Sequence, residues 1–438
     1  MARKMNRRDF VKTTAAAGLG FWVAGRGSWA FGENVTSPHE KLNVGFIGTN
    51  HRAGDDLHDT VGTSLVNVVA LCDIDDNYLG SAAKQFPKAK TYNDFRKLLE
   101  QKDIDAVVIG TPDHTHAVAS AAALHLNKHV YCEKPLTHTV HEARVIQELT
   151  AKYKRVTQMG TQIHAEGNYR RVVEIVKAGV LGPVTEVHVW CGKGWGATKA
   201  PTQAQPVPPN IHYDLWVGPA PFREYNASYL PENWRRYVPY GDGTLGDMAC
   251  HYMDLPFWAL DLGHPTKISA EGPPIAVDCW PEALAVHYDF PARGELPALK
   301  LTWHDGDKRP AAFSTWPKSA QAGAGVMFIG SKGQMFADYG SHHLYPEETF
   351  KDFVAPPKTI PASVGHHKEW VMACLKNDPS ATTCRFAYSG PLTEAVLLGN
   401  VAYRSGKTLE WDAANMKITN APEAEQFLHY EYRKGWEL

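Results

Sequence analysis

The chain has 438 residues, with 45 basic and 47 acidic side chains and a formal net charge of −2; 44% of the residues are hydrophobic and 21% charged. These proportions exclude a disordered chain, a collagen-like repeat and a polytopic membrane protein. The length favours two domains, because a single core stops growing near ~250–300 residues.

Residues 1–30 hold six of the cations and one acid, which leaves 39 basic against 46 acidic residues and a net charge of −7 for the remainder. An acidic body without a basic stripe argues against a nucleic-acid partner. The first thirty residues read as an export signal. Arg7-Arg8-Asp9-Phe10 and Lys12 precede an uncharged run from Thr13 to Gly25, and Ser28-Trp29-Ala30 offers a small-x-small cleavage site. The run is shorter than the ~20 residues of a membrane span. Paired arginines with a following Phe resemble the twin-arginine signal, so a periplasmic or secreted protein, exported after folding and without a membrane span once the signal is removed, is expected. Residues 31–40 read as a linker. The seven cysteines are odd in number and lack CxxC spacing, which argues against a disulfide framework or a zinc knot. Cys72 and Cys132 fall in apolar runs, as buried small hydrophobes do.

From Lys41 the punctuation becomes regular. Strands are expected at Val44–Ile47, Val66–Cys72, Ile104–Ile109 and His129–Cys132, with helices at 75–86, 93–101, 116–126 and 140–151 between them. Apolar strands separated by helices imply βαβ units in a parallel, doubly wound sheet, which binds ligands beyond the carboxyl ends of its strands. Beyond residue 160 the pattern changes to strand-like segments at Val184–Trp190, Ala283–Tyr288, Leu299–Trp303 and Val326–Ile329. Loops rich in Pro, Gly and Trp join them, notably Ala200–Tyr237, and helices near His366–Leu375 and Leu392–Arg404 close the chain. This half reads as an α+β domain on an open, largely antiparallel sheet, whose free face suits a homo-oligomer. The expected domains are 41–160 and 161–438.

Three motifs carry chemistry. Gly48-Thr-Asn50-His-Arg52-Ala53-Gly54 follows the first strand, where a dinucleotide site wants Gly-x-Gly-x-x-Gly/Ala so that backbone N–H groups approach the pyrophosphate. Gly48 and Ala53 fit, while Asn50 replaces the second glycine; Asn tolerates positive φ but limits the closest approach. Asp73, at the end of the second strand, can accept hydrogen bonds from both ribose hydroxyls and would repel the 2′-phosphate of NADP, so NAD is the expected cofactor. Asp75 reads as a helix N-cap. Glu133-Lys134-Pro135 ends a central strand, where the Lys134 ammonium could stabilise an alkoxide or relay a proton. On one helix, Asp247, His251 and Asp254 fall at i, i+4 and i+7, so their side chains are expected as neighbours. Such a pair either holds a histidine in one tautomer for acid/base work or ties helices together. No HExxH motif is present and His114 with His116 makes a poor metal site, so no metal is expected.

The strand–turn–helix, Asp73, Thr111-Pro112, Glu133-Lys134-Pro135 and Asp247-x-x-x-His251 occur in the order seen in the Gfo/Idh/MocA family, the relatives of glucose–fructose oxidoreductase and inositol dehydrogenase. The resemblance covers about residues 41–400. It looks closest to the exported bacterial branch, through Asp-Leu-Trp-Val-Gly-Pro-Ala-Pro (214–221) and His-His-Lys-Glu-Trp (366–370). The resemblance implies a Rossmann domain carrying NAD(P), a substrate domain whose sheet covers the nicotinamide, and hydride transfer at a sugar or polyol carbon. By position it implies that Lys134 assists proton transfer, that His251 is the general acid/base, and that Asp247 supports His251 or binds substrate. Gly48, Asn50, Arg52, Thr111, Pro112, His116, Glu133 and Gln162 are expected along the cofactor, and His164 and Arg235 near the carbohydrate substrate. Two other functions stay open. One is a redox-assisted glycosidase or lyase, whose members in the family have another residue at the Lys134 position. The other is a non-catalytic binding protein on the same scaffold.

Overall fold

The computed structural model describes residues 41–438; the expected signal segment and linker lie outside the described residues. Six strands form the first sheet: β1 (Leu42–Ile47), β2 (Val66–Cys72), β3 (Lys90–Tyr92), β4 (Ala106–Ile109), β5 (His129–Glu133) and β6 (Thr157–Gly160). Their order is β3-β2-β1-β4-β5-β6, and every pairing is parallel. The order reverses between β1 and β4, so the carboxyl ends of β1, β2, β4 and β5 open onto one crevice. Val44, Phe46, Val107, Ile109, Val130 and Cys132 are buried, as a sheet covered on both faces requires.

The four strands expected here are present, and β3 and β6 join them at the two edges. The helix before β5 begins at Asp113 rather than 116. Asp75 is an N-cap as expected, accepting from the Asn77 N–H at 2.8 Å. The helix Val140–Tyr153 starts with a capping box, in which Thr139 Oγ1 accepts from Glu142 N and Glu142 Oε2 accepts from Thr139 N. That cap fixes where the chain turns after Lys134-Pro135.

The second sheet has nine strands. They are β7 (Val184–Cys191), β8 (Lys267–Glu271), β9 (Ala285–Phe290), β10 (Leu299–Asp305), β11 (Ala324–Gly330), β12 (Gln334–Ala337), β13 (His342–Tyr345), β14 (Leu409–Asp412) and β15 (Lys417–Ile418). In the order β13-β12-β11-β7-β10-β9-β8-β14-β15, only β7–β10 is a parallel pair. Alternation sorts the faces: Val187, Leu301, Val286, Tyr288, Val326 and Phe328 are buried, while Glu186 and Lys300 are exposed and Thr302 and His287 half-buried. The long helix Phe386–Ser405 packs against the helix Val140–Tyr153, the helix Gly243–Tyr252 and β8, so one element joins the two halves. Gly390 allows this, since a Cβ there would lie 2.2 Å from Gln147 Cγ. All seven cysteines are buried and unbridged. No helix among the described residues is long and apolar enough to cross a membrane.

Candidate active site

A cavity of about 520 Å³ occupies the crevice at the strand ends, lined on one side by Gly48, Asp73, Thr111 and Lys134 and on the other by residues from the second half of the chain. Gly48 leaves β1 with φ +94°. A Cβ there would meet Ala53 Cβ at 2.9 Å, and one on Gly110, just after β4, would meet the same atom at 2.6 Å. The helix His51–Gly62 therefore sits hard against the strand ends, with its N-terminus facing the cavity, as phosphate binding at a helix start requires.

Asn50 does not take the positive-φ role its place in the motif suggested. It is extended, with φ −137°, and caps the helix by accepting from His51 N at 2.6 Å, while His51 takes φ 51°. Capping engages the Asn50 carboxamide, so the left-handed residue moves one position along. Arg52 reaches Asp56 Oδ1 at 2.5 Å and Glu133 Oε1 at 3.3 Å from the same helix.

Asp73 lines the cavity, with Oδ2 accepting from Thr49 N at 2.9 Å and Thr49 Oγ1 at 2.8 Å, and Oδ1 from Asp75 N at 3.0 Å. A carboxylate offers about four acceptor positions, so the present arrangement leaves room for one ribose hydroxyl rather than two. Burial raises the Asp73 carboxyl, and the Asp75 and Thr49 hydrogen bonds pull it back in part.

Thr111 and Pro112 line the cavity as expected. His116 does not: it is 1% exposed, and its ring spans the carbonyls of Pro135 and Thr111, each at 2.7 Å. Its place is behind the wall, holding the Thr111 and Pro135 backbones in position. Gln162 likewise lies outside this cavity, donating to Glu133 Oε1 at 2.6 Å and to the Tyr131 hydroxyl at 3.0 Å. Burial and Asp56 push the Glu133 carboxyl up, against the pull of Arg52 and Lys134.

Lys134 projects from the end of β5 and donates from Nζ to the Asp247 carbonyl at 2.7 Å and to Asp247 Oδ1 at 2.6 Å. Asp247 is only 5% exposed and gathers three further donors: Arg235 Nε at 3.2 Å on Oδ1, and Trp195 Nε1 at 2.8 Å and Lys193 Nζ at 3.2 Å on Oδ2. Burial alone would raise this carboxyl; Lys134, Arg235 and Lys193 outweigh it and hold Asp247 well below the usual carboxylate range.

The expected pairing of Asp247 with His251 is not formed. No hydrogen bond joins them among the described residues, because the cations have claimed the Asp247 oxygens. His251 is half-buried behind the cavity lining, its Nδ1 without a partner. Burial, then the Lys134 charge, lowers its pKa to about 3, so the ring is neutral at physiological pH. Asp254 does not bond to it either: the helix Gly243–Tyr252 ends, and Asp254 opens a second short helix. There it accepts from the Tyr388 hydroxyl at 2.6 Å and pairs with His164 Nδ1 at 2.9 Å. His164, expected near substrate, is 1% exposed and stacked on Trp258 at 3.9 Å. Cys384 brings a third ligand-type atom within 4.8 Å of this pair, while both Asp254 oxygens already accept from His164 or Tyr388.

Arg235 does line the cavity, its guanidinium 4.2 Å from the Trp234 ring. Lys193 and Trp195 went unrecognised in the sequence. They lie in Gly192-Lys-Gly-Trp-Gly196 just after β7, where a Cβ on Gly196 would come within 2.3 Å of the Pro281–Glu282 backbone. Alternating glycines around a lysine and a tryptophan were the available signal.

Comparison with known proteins agrees with this geometry. Residues 42–161 match the description "Oxidoreductase family, NAD-binding Rossmann fold", and residues 166–438 match "Oxidoreductase family, C-terminal alpha/beta domain". Inositol 2-dehydrogenase of Salmonella typhimurium is 34% identical over 167 residues, which is 38% of this chain and 48% of that protein. A glycosyl hydrolase family 109 protein of Solibacter usitatus is 30% identical over 196 residues, 42% of this chain and 44% of that protein. The chain thus spans about half the length of the curated relatives it matches. Among solved structures, GenD2 from gentamicin A biosynthesis in complex with NAD is 18% identical with a TM-score of 0.62, over 88% of this chain and 100% of that one. The WlbA dehydrogenase from Bordetella pertussis, in complex with NADH and UDP-GlcNAcA, is 15% identical with a TM-score of 0.61, over 85% and 99%. With both halves matched in sequence and the fold shared with NAD complexes, this chain belongs to the Gfo/Idh/MocA family of NAD-binding oxidoreductases.

Proposed function

We propose that the protein oxidises or reduces a hydroxyl-bearing carbon of a sugar or polyol, with NAD held along the ends of β1, β2 and β4. The observation that carries this reading is the position of Lys134. Its ammonium stands in the same cavity as Asp73 and Gly48, at the end of β5, with one N–H beyond the two that Asp247 occupies.

NAD, when bound, supplies the hydride acceptor or donor. Gly48 and the start of the helix His51–Gly62 fit its pyrophosphate, and Asp73 fits a ribose hydroxyl. Lys134 donates its spare N–H to the substrate oxygen and stabilises negative charge there, while the hydroxyl proton passes through cavity water to the His251 ring. Asp247 holds that lysine in place through its carbonyl and Oδ1. His251, neutral and behind the lining, is the second proton-handling group.

Residues 1–30 read as a twin-arginine signal, so the folded protein is exported with NAD already bound. Away from the cytoplasmic nicotinamide pool, the cofactor is regenerated in place, by a second substrate or within a redox-neutral reaction. The matches to glycosyl hydrolase family 109 proteins, at 28–32% identity, favour one second reading, in which transient oxidation permits glycoside cleavage.

The test is a panel of sugars, polyols and aryl glycosides, followed both for NADH absorbance and for bond cleavage. NADH formation that drops by ~10²–10⁴ in Lys134→Ala supports the first reading. Cleavage without net NADH supports the second. His251→Ala at full activity would mean that the proton leaves by way of solvent and not His251.

A further inference from the structure

Hydrogen-bond stoichiometry distinguishes between substrates at the Lys134 end of the cavity. The Asp247 carboxylate has about four acceptor positions, and four donors fill them: Lys134 and Arg235 on Oδ1, Lys193 and Trp195 on Oδ2. It has nothing left to offer a substrate hydroxyl. The donors are not exhausted. Lys134 keeps one N–H. Lys193 Nζ bonds Asp247 Oδ2, and beyond that it makes a 3.6 Å contact with Met248 Sδ and lies 5.6 Å from the Trp195 ring centroid. Arg235 gives Nε to Asp247 and Nη1 to the Glu232 carbonyl at 3.3 Å, which leaves further guanidinium N–H groups.

Charge points the same way. Three cations lie within hydrogen-bonding distance of one carboxylate, a local surplus of two positive charges. The neighbouring acids offset little of it. Glu133 lines the cavity next to Lys134 but is paired with Arg52, Asp113 is buried beside Asp242, and Glu232 is exposed, where solvent screens it. Lys193 is 50% exposed, at the mouth, where a charged ligand would first meet it. A neutral polyol brings as many donors as acceptors, and its donors find no free oxygen on Asp247. An oxyanion accepts only, and suits Lys and Arg forks.

We propose that the substrate is a sugar bearing an oxyanion, a carboxylate or a phosphate, seated against Lys193 and Arg235 with Lys134 at the reacting hydroxyl. The proposal rests on the reading that this cavity holds a sugar.

Calorimetric titration of the full chain with NAD present would test it, using uronates, aldonates and sugar phosphates, each against its neutral parent sugar. At least one anionic sugar should bind 10-fold or more tightly than its parent, with an advantage that shrinks as salt rises. Lys193→Gln should reduce that advantage about 10-fold, and Lys193→Arg should restore it. Tight uronate or aldonate binding identifies a carboxylate, and tight binding of the phosphates alone identifies a phosphate. Parents that bind as well as every anionic partner would overturn the proposal, as would an advantage indifferent to Lys193→Gln. Turnover of a neutral polyol without anion preference would overturn it while leaving the redox reading intact. Anion preference without any NADH formation or bond cleavage would do the reverse.

Discussion

Asp73 ties the turn after β1 to the loop after β2 and is expected to select the cofactor that lies over them. Two of its hydrogen bonds hold Thr49, immediately after Gly48, and a third holds the Asp75 backbone. Its charge also opposes a 2′-phosphate. Asp73→Ser removes that charge while keeping an acceptor for Thr49, so the ratio of kcat/KM for NADP to that for NAD should rise ~10-fold or more. An unaltered protein that uses both cofactors equally would show that Asp73 does not discriminate. Buried histidines give a second residue-scale expectation. Burial lowers His114 to about 3 and His116 to about 4, although each ring spans two carbonyls. Below pH ~6.5 the unfolded chain takes up protons that these folded rings refuse, so stability falls with falling pH, by up to ~1.4 kcal/mol per pH unit for each. Denaturant midpoints measured between pH 7 and pH 5 should drop, and His116→Gln should flatten the slope. The Lys134 position was legible in the sequence because it ends a central strand. The Asp247–His251 pair was not, because i, i+4 spacing states proximity and not competition. Lys193, 54 residues distant, and Arg235 outbid the histidine.

The elements that sequence periodicity found are those with continuous apolar runs; those it missed lack them. β3 is Lys-Thr-Tyr and β6 is Thr-Gln-Met-Gly, short edge strands with little hydrophobic signal. The closing helix was expected from near Leu392, yet it begins at Phe386 and runs through Pro391. An interior proline costs ~3 kcal/mol. Leu392, Val396, Leu397, Leu398 and Val401 are all at most 2% exposed, and each buried side chain returns ~1.5–3 kcal/mol, so tertiary packing decides. The same reasoning explains Asp254, since a helical repeat extrapolated past Met253 crosses a break between two helices. The helix His51–Gly62 depends on close approach instead. Gly110→Ala would place a methyl 2.6 Å from Ala53 Cβ and force helix and strand apart. It should cost ~1–3 kcal/mol by denaturant titration and weaken NAD binding, whereas Gly62→Ala, with open space around it, should do neither.

At the scale of the whole molecule, the segment 200–237 turns an open crevice into a covered one. Its inner side brings Ile211, Leu215, Trp216, Tyr225 and Trp234 to the cavity wall. Its edge is tied to the loop after β2: Asn210 Nδ2 donates to Asp75 Oδ1 at 2.9 Å, Asp76 N to the Asn210 carbonyl at 2.9 Å, and His212 N to the Ile74 carbonyl at 2.8 Å. His212 Nε2 also lies 3.0 Å from Asp76 Oδ1. From the far end of the chain, Arg433 pairs with Asp214 and donates to the Gly218 carbonyl, and Trp436 reaches the cavity beside Phe95. The loop that carries Asp73 is thus the loop that anchors the strap, and a nucleotide seated there is expected to leave only as those bonds open. Purified protein should therefore carry near-stoichiometric NAD after extensive dialysis and turn over a suitable pair of substrates with none added. Each side-chain hydrogen bond contributes ~0.5–1.5 kcal/mol, so removing two, in Asn210→Ala/His212→Ala, should speed NAD loss ~10-fold while the fold persists. Stopped-flow release against a nucleotide trap would measure it. Unaltered protein recovered empty and binding NAD weakly, with a release rate indifferent to the double substitution, would mean that the strap shapes the cavity without retaining the cofactor.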